Sequence, residues 1–123
     1  MSKNPVVHFE MPYEDAKRVS KFYNSAFGWG MNDAGADMGN YVVAVTSNKV
    51  PGAINGGFYK KSETTNPNPS FVISVENLEE AIKAVTEAGG KVQGEPQDIP
   101  GVGKWVVFID TEGNKVSLLQ AKM

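Results

Sequence analysis

His8 is the only histidine in the chain, and Glu10 stands two residues beyond it. In a β-strand, successive side chains alternate between faces, so His8 and Glu10 share one face while Val7, Phe9 and Met11 share the other. An imidazole with an ordinary pKa near ~6.5 is a usable proton acceptor at neutral pH. A carboxylate beside it can orient the ring or hold a cationic group. His8 and Glu10 are therefore the candidate catalytic pair. The plainer alternative is a hydrogen-bonded histidine and a solvated glutamate. Other chemistry is excluded by composition. There is no cysteine, so thiolate metal sites, disulfides and a cysteine nucleophile are ruled out. The glycines come singly or in pairs and never form a phosphate-binding loop ahead of a helix. No G-x-S-x-G nucleophile elbow occurs.

The elements that position these residues are readable from periodicity. Residues 6–11 alternate as a strand, which Pro12 and Tyr13 are expected to end because proline cannot donate to a ladder. Asp15 is placed to cap a helix whose apolar stripe is Ala16, Val19, Tyr23, Ala26 and Phe27, with Gly28 as a left-handed stop. Residues 29–36 read as a weak strand and loop, residues 37–39 as a turn, and residues 41–46, YVVAVT, as a β-prone run. Asn48 and Pro51-Gly52 mark a turn within residues 47–52. Residues 53–60 form a further strand candidate, in which Gly56-Gly57 implies a bulge or a close backbone approach.

The segment 62–69, SETTNPNP, is polar and proline-bearing and reads as a linker. Beyond it the pattern repeats. Residues 71–75 alternate. Asn77 with Glu80 forms an N-cap pair of the capping-box type. Leu78, Ala81, Ile82, Val85 and Ala88 make a second stripe, stopped by Gly89-Gly90. Residues 91–93 form a short strand and residues 97–103 a loop. Residues 105–109 and 115–120 form a hairpin. An offset of 62 residues superposes the halves without gaps: Asp15 on Asn77, Tyr23 on Val85, Gly28 on Gly90, His8 on Ser70 and Asn55 on Ser117.

Each copy reads strand, helix, strand, strand, strand. The expected organisation is a single domain over residues 1–123, built of modules 1–61 and 70–123 joined by the linker. The expected fold class is α+β, with two βαβββ modules forming a cup-shaped mixed β-sheet and helices on the outer face. The helix-covered side takes Val7, Phe9, Phe71, Ile73 and Val75. The opposite side takes His8, Glu10, Ser70, Val72 and Ser74. Asn55, Ser70 and Ser117 are candidate substrate-binding groups, related to His8 by the repeat. Tyr41, Tyr59 and Trp105 are candidate aromatic walls.

The motifs HFEMPYEDAKRVSKFYNSAFGW, SFVISVENLEEAIKAVTEAGG and DIPGVGKWVVFIDTEGNKVSLLQ resemble those of the vicinal oxygen chelate superfamily. That group includes glyoxalase I, bleomycin-resistance proteins and extradiol dioxygenases. The resemblance covers the whole chain. Metal-dependent members take ligands from the first and last strands of each module. Those places here are His8, Asn55 (or Gly57, with the strand shifted by two), Ser70 and Ser117. Only His8 keeps a ligand-type side chain. The resemblance thus implies a small-molecule site without a catalytic metal or other cofactor. Two other activities stay open: a metal-dependent lyase or dioxygenase with His8 as one ligand, and a drug-sequestering resistance protein.

Partners are narrowed by charge. The net charge is −2 and apolar residues make up 41% of the chain, enough for a core. Basic residues are scattered, which speaks against nucleic acid. No apolar run is long enough to span a membrane, and MSKNP at the start lacks a signal-peptide pattern. The expectation is a cytoplasmic protein, and the resemblance implies that it binds a small molecule and pairs as a homodimer.

Overall fold

The structure, a computed structural model, describes residues 4–47 and 49–122. Asn48 of the expected turn and the first three residues of MSKNP lie outside the described residues. Eight strands and two α-helices make the described chain an α+β protein of two βαβββ modules. In order they are β1 (Val6–Tyr13), α1 (Ala16–Phe27), β2 (Gly30–Asp33), β3 (Val42–Val45), β4 (Gly56–Lys60), β5 (Ser70–Ser74), α2 (Leu78–Glu87), β6 (Lys91–Ile99), β7 (Gly103–Ile109) and β8 (Lys115–Ala121). The chain forms two compact units, one spanning His8–Pro69, the other made by the residues through Val7 with the chain from Ser70 onward. Among the described residues no helix is long and apolar enough to cross a membrane.

Within His8–Pro69 the strands run β2-β3-β4-β1. β1 and β4 are parallel, and the other pairs are antiparallel. Asp15 caps α1: its carboxylate accepts the amide of Arg18 at 3.0 Å, and Gly28 ends the helix with φ 75°. The inward stripe packs on a core of Tyr13, Val42, Ala44 and Phe58, joined by Phe9, Met11, Ala16, Val19, Tyr23, Trp29 and Met31. Tyr23 stacks on Trp29, with ring centroids 4.7 Å apart and planes within 14°. Phe27, expected in the stripe, is 63% exposed; it lies past the last full turn and only flanks Tyr23 and Trp29.

β1 does not stop at Pro12 but runs through it to Tyr13. The ladder explains why. The amide of Phe9 donates to Asn55 and the carbonyl of Tyr13 accepts from Lys61, so odd-numbered residues turn their polar groups toward β4. Pro12 is even-numbered, and the amide it lacks is not needed in this ladder.

The second unit orders its strands β5-β8-β7-β6, with β5 and β8 parallel. Asn77 caps α2 with nearly the same backbone as Asp15: φ −136° and ψ 111°, against −136° and 110°. The core is Val75, Leu78, Val106 and Leu118, with Ile73, Ala81, Ile82, Val85, Val92 and Phe108 against it. Phe71, expected beneath the helix, is 40% exposed, as is Val7 at 41%; each is the second residue of its strand.

The left-handed residue after α2 is Gly89, one place earlier than the repeat with Gly28 implies, while Gly90 passes tightly against Val85 and the carbonyl of Ile109. β6 is longer than expected. A register shift between Gln93 and Gln97, where Gly94 has φ 77°, lets it continue to Ile99. The expected loop at 97–103 is therefore mostly paired strand, closed by a tight turn in which the amide of Val102 donates to Ile99 at 2.9 Å.

Candidate functional site

The chemistry-bearing side chains of the His8–Pro69 unit gather on the sheet face turned away from α1. Phe9, Met11 and Tyr13 point into the helix-side core, so His8 and Glu10 point the other way. The register extends this face across three strands: Glu10 pairs with Gly57 on β4, and Gly57 pairs with Val43 on β3. Tyr41, two residues before Val43, belongs to the same face. Its backbone is fixed from both sides: its amide donates to Met38 at 3.2 Å and its carbonyl accepts from Ala34 at 2.7 Å. Asn40, held at φ 57°, delivers the chain into β3.

Tyr41 is the hub. Its hydroxyl lies 2.8 Å from Nε2 of His8 and donates to Oε2 of Glu10 at a longer 3.4 Å. The His8 and Tyr41 rings lie within 19° of parallel with centroids 6.4 Å apart, so they meet edge to edge. Burial lowers the pKa of His8 below its ordinary 6.5, which makes the ring neutral at physiological pH. Burial, and then the Glu10 charge, push the Tyr41 phenol well above 10. The same two causes push Tyr59 up to about 12. Both phenols are therefore donors, never phenolates, near neutrality. Tyr59 spends its proton locally, on the carbonyl of Asn66 at 2.5 Å, tying β4 to the polar segment 62–69.

Asn55 is not on the last strand of its module. β4 begins at Gly56, and the Asn55 side chain accepts the amide of Thr46 at 2.9 Å. Ser70 donates to the carbonyl of Lys115 at 2.7 Å. Ser117 is 7% exposed and pairs with Val72 and Val107. Trp105 lies on β7 opposite Leu119 and Gln97.

The expected equivalence of His8 with Ser70 fails by two residues. Phe9 pairs with Gly56 in one unit, whereas Ile73 pairs with Leu118 in the other. If β4 and β8 are matched at the offset of 62, the register counterpart of His8 is Val72. An ungapped sequence offset cannot detect such a slip, because it leaves every side chain on its expected face.

Metal ligation asks for three or four suitably placed donors. Among the described residues no three His, Asp or Glu side chains form a group able to hold an ion. His8 and Glu10 supply two, and Nε2 of His8 already faces Tyr41. The described residues do not fit a divalent-metal centre.

The family model for the Glyoxalase/Bleomycin resistance protein/Dioxygenase superfamily matches residues 6–118. The chain belongs to this superfamily. A glyoxylase-like domain-containing protein of Didymella fabae is 34% identical over 109 residues, covering 85% of the chain and 84% of that protein. CFP32 of Mycobacterium tuberculosis, provisionally named a glyoxylase, is 29% identical over 87% of the chain, which spans 42% of that longer protein. Methylmalonyl-CoA epimerase of Streptomyces coelicolor, solved with 2-nitronate-propionyl-CoA, aligns over 99% of the chain and 100% of its own with a TM-score of 0.72. At 13% identity that likeness is one of fold.

What sequence reasoning missed was the role of Tyr41. It read as a wall, yet it is the bridge between His8 and Glu10. The available signal was its parity with Val43 and Gly57, which becomes visible only when the strands are paired.

Proposed function

We propose that this protein binds a small molecule on the face formed by His8, Glu10 and Tyr41, without a catalytic metal, and that His8 acts there as hydrogen-bond acceptor or proton acceptor. The observation that carries the reading is the 2.8 Å contact between Nε2 of His8 and the Tyr41 hydroxyl, with Glu10 behind it. Three polar side chains are held together on the one sheet face that α1 leaves open. A neutral imidazole backed by a phenol and a carboxylate can receive a proton from a bound ligand, and the carboxylate then stabilises the charged ring. We place the protein in the cytoplasm and expect it to pair as a homodimer, which light scattering on purified protein tests directly.

The binding test is a panel of small metabolites and aromatic antibiotics, read by thermal shift with and without chelator, on wild type and His8→Ala. Divalent metal is quantified in both. The expected result is a set of shifts that survives chelation and is lost with His8→Ala. Near-stoichiometric metal that disappears with His8→Ala, together with shifts abolished by chelator, overturns the metal-free reading in favour of a lyase or dioxygenase. Shifts confined to antibiotics, with no chemical change in the ligand, identify a sequestering protein instead.

A further inference from the structure

Gly57 is glycine for reasons of space alone. Its backbone is not among the positive-φ positions, so any residue could adopt it. A side chain could not be accommodated, because a Cβ at this position would overlap the Tyr41 phenol at its hydroxyl oxygen, Cε2 and Cζ. Gly56, one residue earlier, faces the opposite side, where a Cβ would meet the Phe9 ring at 2.5 Å. The two glycines therefore do different things. Gly56 gives room to the core, and Gly57 lets the phenol lie across β4 and reach both His8 and Glu10.

That seat has a consequence for proton placement. The Tyr41 hydroxyl carries one proton and a carboxylate can only accept. When Tyr41 donates to Oε2 of Glu10, its oxygen lone pairs face Nε2 of His8 at 2.8 Å. That short contact is favourable only if Nε2 carries the ring proton. The reverse arrangement, with Tyr41 donating to Nε2, points a phenol lone pair toward the carboxylate and forgoes the hydrogen bond between Tyr41 and Glu10. Nδ1 of His8 has no hydrogen-bond partner among the described residues.

We propose that Gly57 and Tyr41 are positioning residues that hold His8 as the Nε2–H tautomer and leave Nδ1 as the atom that meets a ligand. The ligand this favours presents an O–H or N–H donor to Nδ1. Only that last step rests on the small-molecule reading above.

The test needs no ligand. His8 is the only histidine, so a two-bond proton–nitrogen correlation of tag-free, 15N-labelled protein at pH 8 reports it without assignment. Wild type is expected to show the unprotonated-type nitrogen at Nδ1 and the protonated-type nitrogen at Nε2, widely separated. Tyr41→Phe removes the acceptor and is expected to draw the two nitrogens together as the tautomers exchange. Gly57→Ala should do the same, while Gly56→Ala lowers stability and leaves the His8 pattern unchanged. Gly57→Ala is also made in a Tyr41→Ala background, which empties the seat. Its stability cost is expected to vanish there, and this arm decides the matter even where Gly57→Ala alone does not fold. A wild-type pattern with the proton on Nδ1, a pattern unmoved in folded Gly57→Ala, or an equal cost of Gly57→Ala with and without the Tyr41 ring overturns the proposal. An empty ligand panel leaves the tautomer standing, and a reversed tautomer leaves ligand binding standing, so the two readings fail separately.

Discussion

Acidification offers a direct test of the buried His8. In the native protein, burial lowers its pKa below the 6.5 of the unfolded chain. Between those two values the unfolded state binds more proton than the native state. Stability therefore falls as pH drops below about 6.5, and goes on falling until the native ring also protonates. The stabilisation is fully present above 6.5. One proton sets a ceiling of about 1.4 kcal/mol per pH unit on the slope. With a urea m-value of about 1–3 kcal/mol per molar for a small domain, the unfolding midpoint moves by at most roughly 0.5–1.4 M per unit. The assay is urea unfolding of wild type and His8→Gln at pH 8, 7, 6 and 5, read as the difference between the two proteins. Glutamine cannot titrate, so the difference isolates His8. Asp15 and Asp110 do not intrude. Their carboxyls are held below 3.8, Asp15 chiefly by the Arg18 amide and Asp110 chiefly by the Asn114 side chain, so their contributions are present above 3.8 and lost only below it. The expected difference is constant from pH 8 to 7 and then turns against wild type. Parallel curves down to pH 5, or a wild type that gains on His8→Gln in acid, would refute a neutral, burial-shifted His8.

Phe58 is 1% exposed at the centre of the first core and packs edge-on to Phe9; Phe58→Ala is expected to cost about 3–5 kcal/mol, read as a fall in urea midpoint at unchanged m. Asn77→Ala removes the side-chain acceptor of the Glu80 amide and should cost about 1 kcal/mol, whereas Asn77→Asp should hold stability at neutral pH and lose it below pH 4. Tyr59→Phe deletes the bond to Asn66; limited proteolysis within residues 62–69 should accelerate while the global midpoint falls by about 1 kcal/mol, and an unchanged cleavage rate would show that the phenol does not hold this segment.

What the sequence made legible was local. A cap three residues ahead of its partner amide, a helical stripe and an alternating strand are decided within a few residues of chain. Asp15 and Asn77 were identifiable for that reason, and their backbones agree to within a degree. What escaped depended on pairing between strands. Pro12 reads as a stop until the ladder shows that its missing amide faces away from β4. Asn55 reads as a strand residue until its side chain is found on the Thr46 amide. β6 reads as short because Gly94 interrupts its alternation, although a bulge carries the pairing past it. Tyr41 lies outside every regular element, and nothing nearby in sequence couples it to His8.

The same distinction explains why the two halves agree on one side and differ on the other. Toward the helices both units bury apolar strand residues beneath a capped helix, and that requirement is met by any residues of the right size and polarity. Away from the helices the corresponding rows diverge: Glu10, Gly57 and Val43 in one unit, Ser74, Leu119 and Trp105 in the other. Leu119 stands at the register position that Gly57 holds in the first unit, and the position matching Tyr41 at an offset of 62 is Gly103, whose own close neighbour is the backbone of Gln120. The second unit therefore has neither the seat nor the phenol, and its register counterpart of His8 is an aliphatic valine. The hydrogen-bonded group of His8, Tyr41 and Glu10 belongs to one copy because it needs a gap in the sheet surface, and only one copy has a glycine to provide it.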